Sequence, residues 1–145
     1  MKIKTAFVIL LLAALMAACT VEPQPIEYGS DACAFCQMTI VDRQHAAEMV
    51  TKKGKAYKYD AIECMVRDLN RNRDLSQVEL LLITDFAQAG KFTDAKTAAY
   101  LISENIPSPM GANLSGFKEK SEAERVKNQE GGELFTWNQV LDRFK

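Results

Sequence analysis

The densest group of reactive side chains is the segment Cys33-Ala34-Phe35-Cys36-Gln37-Met38. It offers two thiols three residues apart and a thioether two residues further on. Sulfur ligands of this kind suit Cu(I) and are poor ligands for magnesium, calcium or manganese. A C-x-x-C pair by itself is also compatible with a zinc site, with disulfide exchange or with a structural disulfide.

The rest of the sequence narrows these alternatives. A zinc site needs a second pair of ligands, and the chain has neither another C-x-x-C nor paired histidines. A thioredoxin-like motif starts a helix whose dipole lowers the thiol pKa, whereas this motif runs into the β-branched Thr39-Ile40-Val41. A structural disulfide, either Cys33–Cys36 or Cys36–Cys64, remains an alternative, because the chain carries an export signal and oxidising compartments favour disulfides.

Met38 favours a copper site over the remaining alternatives. The sequence predicts a strand beginning at Thr39-Ile40-Val41, and residues i and i+2 entering a strand share one face. Cys36 and Met38 are therefore predicted to point the same way and to be the main ligands of a Cu(I) ion.

Further ligands are needed to complete such a site. The candidates are His45, which is the single imidazole of the chain, Met110 in a proline-rich loop, and Cys33. His45 fits an exposed surface position equally well. Cys64 lies off the apolar stripe of its predicted helix, near the first turn, and could face the metal loop, although burial is the favoured explanation for it.

Composition excludes several functional classes. The chain has 145 residues, 18 Lys+Arg against 19 Asp+Glu and a formal charge of −1, so it has no cationic excess with which to bind nucleic acid. At 48% hydrophobic residues it is too apolar to be disordered and long enough for one domain. Four Cys, six Met and one His favour soft-metal chemistry over a serine-hydrolase triad.

The first residues are typical of an export signal. Lys2 and Lys4 precede an apolar run from Ala6 to Ala18, which is shorter than the about 20 residues of a bilayer span. Because Ala17-Ala18-Cys19 ends this run as in a bacterial lipobox, the sequence predicts a signal peptide at 1–18 and lipidation of Cys19. Residues 19–30 then form an extended tether, and the protein is an extracytoplasmic, membrane-anchored lipoprotein on the periplasmic face.

Alternating and helical patterns predict a hairpin, a helix and a strand in the first half. The hairpin turns at Gly54 and the helix is capped by Asp60 with Glu63 as its partner in a capping box. The predicted segments are strands Ala46–Thr51 and Ala56–Tyr59, helix Ala61–Arg71 with its stripe Ile62, Met65, Val66 and Leu69, and a central strand Val78–Thr84.

The second half repeats this order more loosely. Its predicted segments are strands Thr97–Ser103 and Asn113–Phe117, a polar helix Ser121–Gln129, a short strand Leu134-Phe135 and a last helix capped by Thr136. We therefore predict an α+β fold in which a domain at 31–145 consists of two small packed ββαβ units, about 31–85 and 95–145.

Three spaced motifs resemble the NosL family of lipoprotein copper chaperones associated with nitrous oxide reductase maturation. The motifs are Cys33-x-x-Cys36-x-Met38-Thr39-Ile40, Tyr57-x-Tyr59-Asp60-Ala61-Ile62-Glu63-Cys64-Met65 and Ser108-Pro109-Met110-Gly111. The resemblance covers nearly all of the mature chain, and the three motifs together with the lipobox make it specific. One departure is Gln37, which stands where the family commonly has glycine and bears on how tightly this loop turns.

The resemblance implies a Cu(I)-binding protein without enzymatic activity. It implies that Cys36 and Met38 bind copper and that Met110 faces the site or a partner. The implied partners are nitrous oxide reductase, for its copper–sulfide centre, or its ABC-type maturation transporter. The family also resembles the organomercurial lyase MerB in its paired ββαβ units, without an implied lyase activity. The competing hypothesis is a periplasmic thiol-disulfide oxidoreductase that uses Cys33 and Cys36.

Overall fold

The computed structural model describes residues 20–145, which form seven strands and three α-helices. The strands are β1 Ala47–Thr51, β2 Ala56–Tyr59, β3 Val78–Asp85, β4 Gln88–Asp94, β5 Ala99–Ile102, β6 Leu114–Phe117 and β7 Glu133–Phe135. The helices are α1 Ile62–Asn72, α2 Lys120–Glu130 and α3 Trp137–Arg143. The predicted signal peptide and Cys19 lie outside the described residues.

The first sheet is antiparallel in the order β2-β1-β3-β4. Its hairpin turns at Gly54, whose φ of +81° suits glycine and supports the predicted reversal. The apolar run of β3 is central, as predicted, since it pairs with β1 on one side and β4 on the other. Strand β4 was not predicted, because its sequence Gln88–Asp94 has polar residues on an edge that is largely exposed.

The second sheet, in the order β6-β5-β7, repeats the arrangement of β2-β1-β3. In both units a hairpin leads into a helix, and the strand after the helix pairs with the first strand of the hairpin. The α+β class and the order of two ββαβ units are thus confirmed. The last helix begins at the predicted Thr136, whose side chain forms a capping box with Gln139.

The two units share the main apolar core, and a smaller second cluster lies between β5, β6 and α2. The predicted stripe of α1 (Ile62, Met65, Val66 and Leu69) is buried against both sheets. Gly116 of β6 lies so close to β3 that a Cβ atom there would overlap the Ile83 side chain. This close approach holds the units together and keeps the start of α1 next to both sheets.

Two local predictions need correction. The strand expected at 39–41 is only an isolated bridge between Ala32 and Thr39. Asp60 does not cap α1: the N-cap residue is Ala61 and it has no side-chain cap bond. Glu63 does not complete a capping box either, because its carboxylate faces a different loop.

The predicted tether at 19–30 is partly bound to the domain. The Gln24 backbone N–H donates to the Glu48 carboxylate at 2.7 Å, and Ile26 is buried in the main core. The segment available as a flexible spacer is therefore shorter than predicted. Between Thr20 and Lys145, none of the helices has the length and apolar character required to cross a bilayer.

Candidate metal centre

The C-x-x-C segment forms a closed loop. The Cys33 N–H donates to the Met38 carbonyl at 2.8 Å, and the Gln37 N–H donates to the Cys33 carbonyl at 3.0 Å. The Ala34 N–H donates to the Lys58 carbonyl at 2.8 Å, which fixes the loop beside the end of β2. The backbone thus holds the two thiols before any metal is present.

Gln37 allows this loop to close by adopting a φ of +66°. A non-glycine residue in the left-handed region carries a cost of about 1–2 kcal/mol, which explains why glycine suits this position. We expect Gln37→Gly to leave the free energy of unfolding unchanged or raise it by up to about 1 kcal/mol. Gln37→Val should lower it by about 1–2 kcal/mol, because β-branched residues are disfavoured there.

Denaturant unfolding measures these differences. Thr39→Val is the control, since Thr39 is also exposed but lies in an extended bridge that accepts valine. If Gln37→Val were as stable as Thr39→Val, the positive φ would not be a constraint on this loop.

The start of α1 brings two further side chains to the loop. Only Asp60 and Ala61 connect β2 to α1, so Asp60 lies at the end of β2 and Cys64 in the first turn of the helix. The Cys36 thiol donates to Asp60 Oδ1 at 3.4 Å. This contact occupies the carboxylate that the sequence suggested as a helix cap.

The resulting cluster contains Cys33, Cys36, Asp60 and Cys64, and their ligand atoms all lie within 4.8 Å of one another. All three cysteines are free thiols. A metal–sulfur bond of about 2.3 Å places sulfur atoms about 4 Å apart around a shared ion. The cluster is therefore close to the geometry of a metal site.

Cys33 is the most acidic thiol of the cluster. The Cys64 thiol and backbone N–H groups of Cys36, Asp60 and Phe35 donate to its sulfur, and together they lower the pKa of Cys33 to about 6 although burial opposes this. The lowered pKa favours the thiolate form of Cys33, and a thiolate is the form that binds a metal.

The other two thiols keep their protons. Burial and the neighbouring Cys33 sulfur raise the pKa of Cys36 to about 11. The hydrogen bond to Cys33, burial and the Asp60 carboxylate raise the pKa of the Cys64 thiol well above its ordinary value. One thiolate with two thiol neighbours limits the negative charge in a largely buried site.

The two candidate methionines lie on loops and not on strands. Met38 is 55% exposed. Because residues 34–36 form a turn and Gln37 has a positive φ, the same-face argument for Cys36 and Met38 does not apply. Met110 is half-buried and packs against the core that contains Cys33 and Cys64.

His45 lies outside the cluster. Its Nδ1 forms a hydrogen bond with Asp42 Oδ2 at 2.9 Å, its Nε2 forms one with Ser115 Oγ at 3.1 Å, and the residue is 3% exposed. Both ring nitrogens are occupied, so the geometry gives no support to His45 as a ligand or as a surface residue.

Asp60 and Cys64 are the two cluster members that sequence reasoning did not select as ligands. The short link between β2 and the helix was a usable signal, because it keeps Asp60 close to the first helical turn, which carries Cys64. It is obscured here because Asp60 precedes the helix and resembles a cap.

Comparison with protein-family models identifies the family of the chain segment that contains this cluster. A family model described as NosL matches residues 25–144. The chain belongs to the NosL family. This match confirms the resemblance drawn from the three motifs and includes every member of the cluster.

A solved structure shows the same fold. The chain is similar to the crystal structure of the copper chaperone NosL from Shewanella denitrificans, with a TM-score of 0.71 and 22% sequence identity. The match covers 83% of this chain and 96% of that chain. No curated protein matches the sequence. The likeness confirms the α+β fold.

Proposed function

We propose that this NosL-family protein is a copper chaperone that binds Cu(I) and releases it by ligand exchange. The observation that carries the proposal is the cluster of three thiols and one carboxylate within 4.8 Å. The copper chaperone role of the similar Shewanella denitrificans protein supports it. Thiolates and thioethers together are the ligand set that favours Cu(I).

The proposed ligands are the Cys33 and Cys36 sulfurs with a thioether from Met38 or Met110. Cys33 is already ionised, and Cu(I) displaces the proton of Cys36. Cys64 keeps its proton and donates to the Cys33 sulfur. Two thiolates leave the copper complex with one negative charge, whereas three thiolates beside Asp60 would concentrate more charge in a buried site.

The cluster is more accessible on one side than on the other. Cys33 and Cys64 are fully buried, but Cys36 is half-buried and Met38 is exposed. An incoming sulfur ligand can therefore approach the copper beside Cys36 while Cys33 still holds it. A chaperone needs such an open position, in contrast to a closed structural site.

The geometry argues against the competing thiol-disulfide oxidoreductase. Such enzymes attack with an exposed thiol of lowered pKa. Here the thiol of lowered pKa, Cys33, is fully buried, and the more accessible Cys36 has a raised pKa. We expect no disulfide reductase activity from the metal-free protein.

The proposal also includes the acceptor of the copper and the location of the protein. The copper is destined for nitrous oxide reductase or its ABC-type maturation transporter, and lipidated Cys19 anchors the chaperone at the periplasmic face of a membrane. Cys19→Ala should move the protein out of the membrane fraction or leave it unprocessed. A variant that is processed and fractionates like the wild type would disprove lipidation.

Cu(I) titration of the reduced protein against a coloured Cu(I) chelator tests the binding function. We expect one tightly bound Cu(I) per chain, a sulfur-to-copper charge-transfer band, and acceleration of copper release with increasing acceptor concentration. A parallel Zn²⁺ titration checks selectivity, since three thiols and a carboxylate could also hold zinc. Zinc binding without competitive Cu(I) binding would reject the proposal.

A further inference from the structure

Glu63, the residue next to Cys64, is a buried glutamate that does not belong to the cysteine cluster. Glu63 lies in the first turn of α1 and is fully buried. Its Oε1 accepts from Ser108 Oγ at 2.8 Å and from the Ala112 N–H at 3.3 Å. One carboxylate oxygen of α1 thus binds two points of a loop about 45 residues away in the chain.

These two points flank Met110. The Gly111 N–H donates to the Ser108 carbonyl at 3.0 Å, and the Asn113 N–H donates to Ser108 Oγ at 2.9 Å. Gly111 and Asn113, the two neighbours of Ala112, both have positive φ values, so the chain turns tightly directly after Met110. Met110 is therefore presented from a short loop that Glu63 fixes to the helix turn carrying Cys64.

The second oxygen of the same carboxylate has no partner. Among the described residues, Glu63 Oε2 is one of two buried side-chain oxygens without a hydrogen bond. Burying an incompletely paired carboxylate is unfavourable, so its retention in the core calls for a function beyond filling space. Holding one loop against the start of α1 is a task that a shorter or apolar side chain cannot perform.

We infer that Glu63 is a positioning residue that holds Met110 as the third, exchangeable sulfur ligand of the copper site. The inference rests on the proposed Cu(I) function. Met110 and the cluster cysteines Cys33 and Cys64 pack in the same core. Because the hydrogen bonds of the Glu63 carboxylate go to Ser108 and Ala112 of the loop, its contribution to copper binding passes through the Met110 thioether.

A double-mutant cycle tests this dependence. Glu63→Ala and Met110→Ala are each expected to weaken Cu(I) affinity by about 10-fold, within the range of outer metal-site changes. The double variant should bind Cu(I) no more weakly than Met110→Ala alone. X-ray absorption at the copper edge should show one sulfur neighbour fewer in each single variant, which loss of stability alone would not produce.

Glu48 provides the matched control. It is also a fully buried glutamate with one unpartnered oxygen, but it binds the Gln24 N–H near the start of the domain. Glu48→Ala should reduce stability without changing the copper–sulfur signal. Its effect on affinity, if any, should add to that of Met110→Ala.

Ser108→Ala covers the case in which Glu63→Ala does not fold. It removes the shortest bond to Glu63 and should weaken Cu(I) binding only when Met110 is present. Additive losses in either cycle, or an unchanged number of sulfur neighbours, would overturn the inference. Failure of the wild-type protein to bind Cu(I) would instead reject the proposed function, so the two failures are distinguishable.

Discussion

Replacing Cys33 by serine is expected to produce the largest loss of Cu(I) affinity of any single substitution. Cys33 has the lowest pKa of the three cluster thiols, about 6, and is therefore the sulfur that most readily binds a metal as a thiolate. Serine has similar size but no thiolate, so the loss should exceed the about 10–100-fold effect of residues around a metal site. Competition titration with a Cu(I) chelator measures it.

Cys64→Ser is the matched control for this prediction. Both cysteines are fully buried and both are changed to serine. A serine at 64 can still donate a hydrogen bond to the Cys33 sulfur, so we expect at most about a 10-fold loss. Equal losses for the two variants would mean that Cys64 also binds copper as a thiolate.

Cu(I) affinity should rise with pH, with a change of slope near pH 6. Above pH 6, Cys33 is already ionised and binding releases only the proton of Cys36, whose pKa is about 11. Affinity then increases about tenfold per pH unit. Below pH 6 both thiols are protonated, two protons are released, and the slope approaches about 100-fold per unit.

The same ionisation affects the stability of the metal-free protein. The pKa of Cys33 is lower in the fold than its ordinary value of 9.0, so its thiolate stabilises the fold fully above pH 9. That contribution decreases as the pH falls and is lost below about pH 6. Cys33→Ser should remove this part of the pH dependence of unfolding.

Chelator titrations at several pH values measure the affinity slope, with Cys36→Ser as the comparison. This variant should lose the dependence above pH 6, because it lacks the thiol that releases a proton there. A wild-type affinity independent of pH near neutrality would show that Cys36 does not bind copper as a thiolate.

Local patterns in the sequence were sufficient for most secondary structure. The hairpin at Gly54, the buried stripe of α1 and the cap at Thr136 each depend on residues within a few positions of one another. The three motifs likewise sufficed to recognise the family. Strand β4 was not predicted, because an exposed edge strand lacks the alternation of apolar and polar residues that is typical of a half-buried strand.

Long-range contacts decided the composition of the candidate site. Cys36 and Asp60 are 24 residues apart, and the bond between them replaces the cap expected for Asp60. His45 bonds to Ser115, 70 residues away, which turns an expected surface residue or ligand into a buried one. Which of several possible partners a polar side chain takes depends on what the fold packs against it.

The sequence by itself predicted a soft-metal site and determined the fold class and the family, because these follow from residue types and short spacings. Only the tertiary structure determined that Asp60 and Cys64 join Cys33 and Cys36 in one cluster. The physical reason is that two features place the C-x-x-C loop beside the start of α1. They are the hydrogen bond from the Ala34 N–H to the Lys58 carbonyl and the short link from β2 to α1. The positive φ of Gln37 also changes the direction of the chain between Cys36 and Met38. The rule that residues i and i+2 share a face holds only for extended backbone, so it fails here.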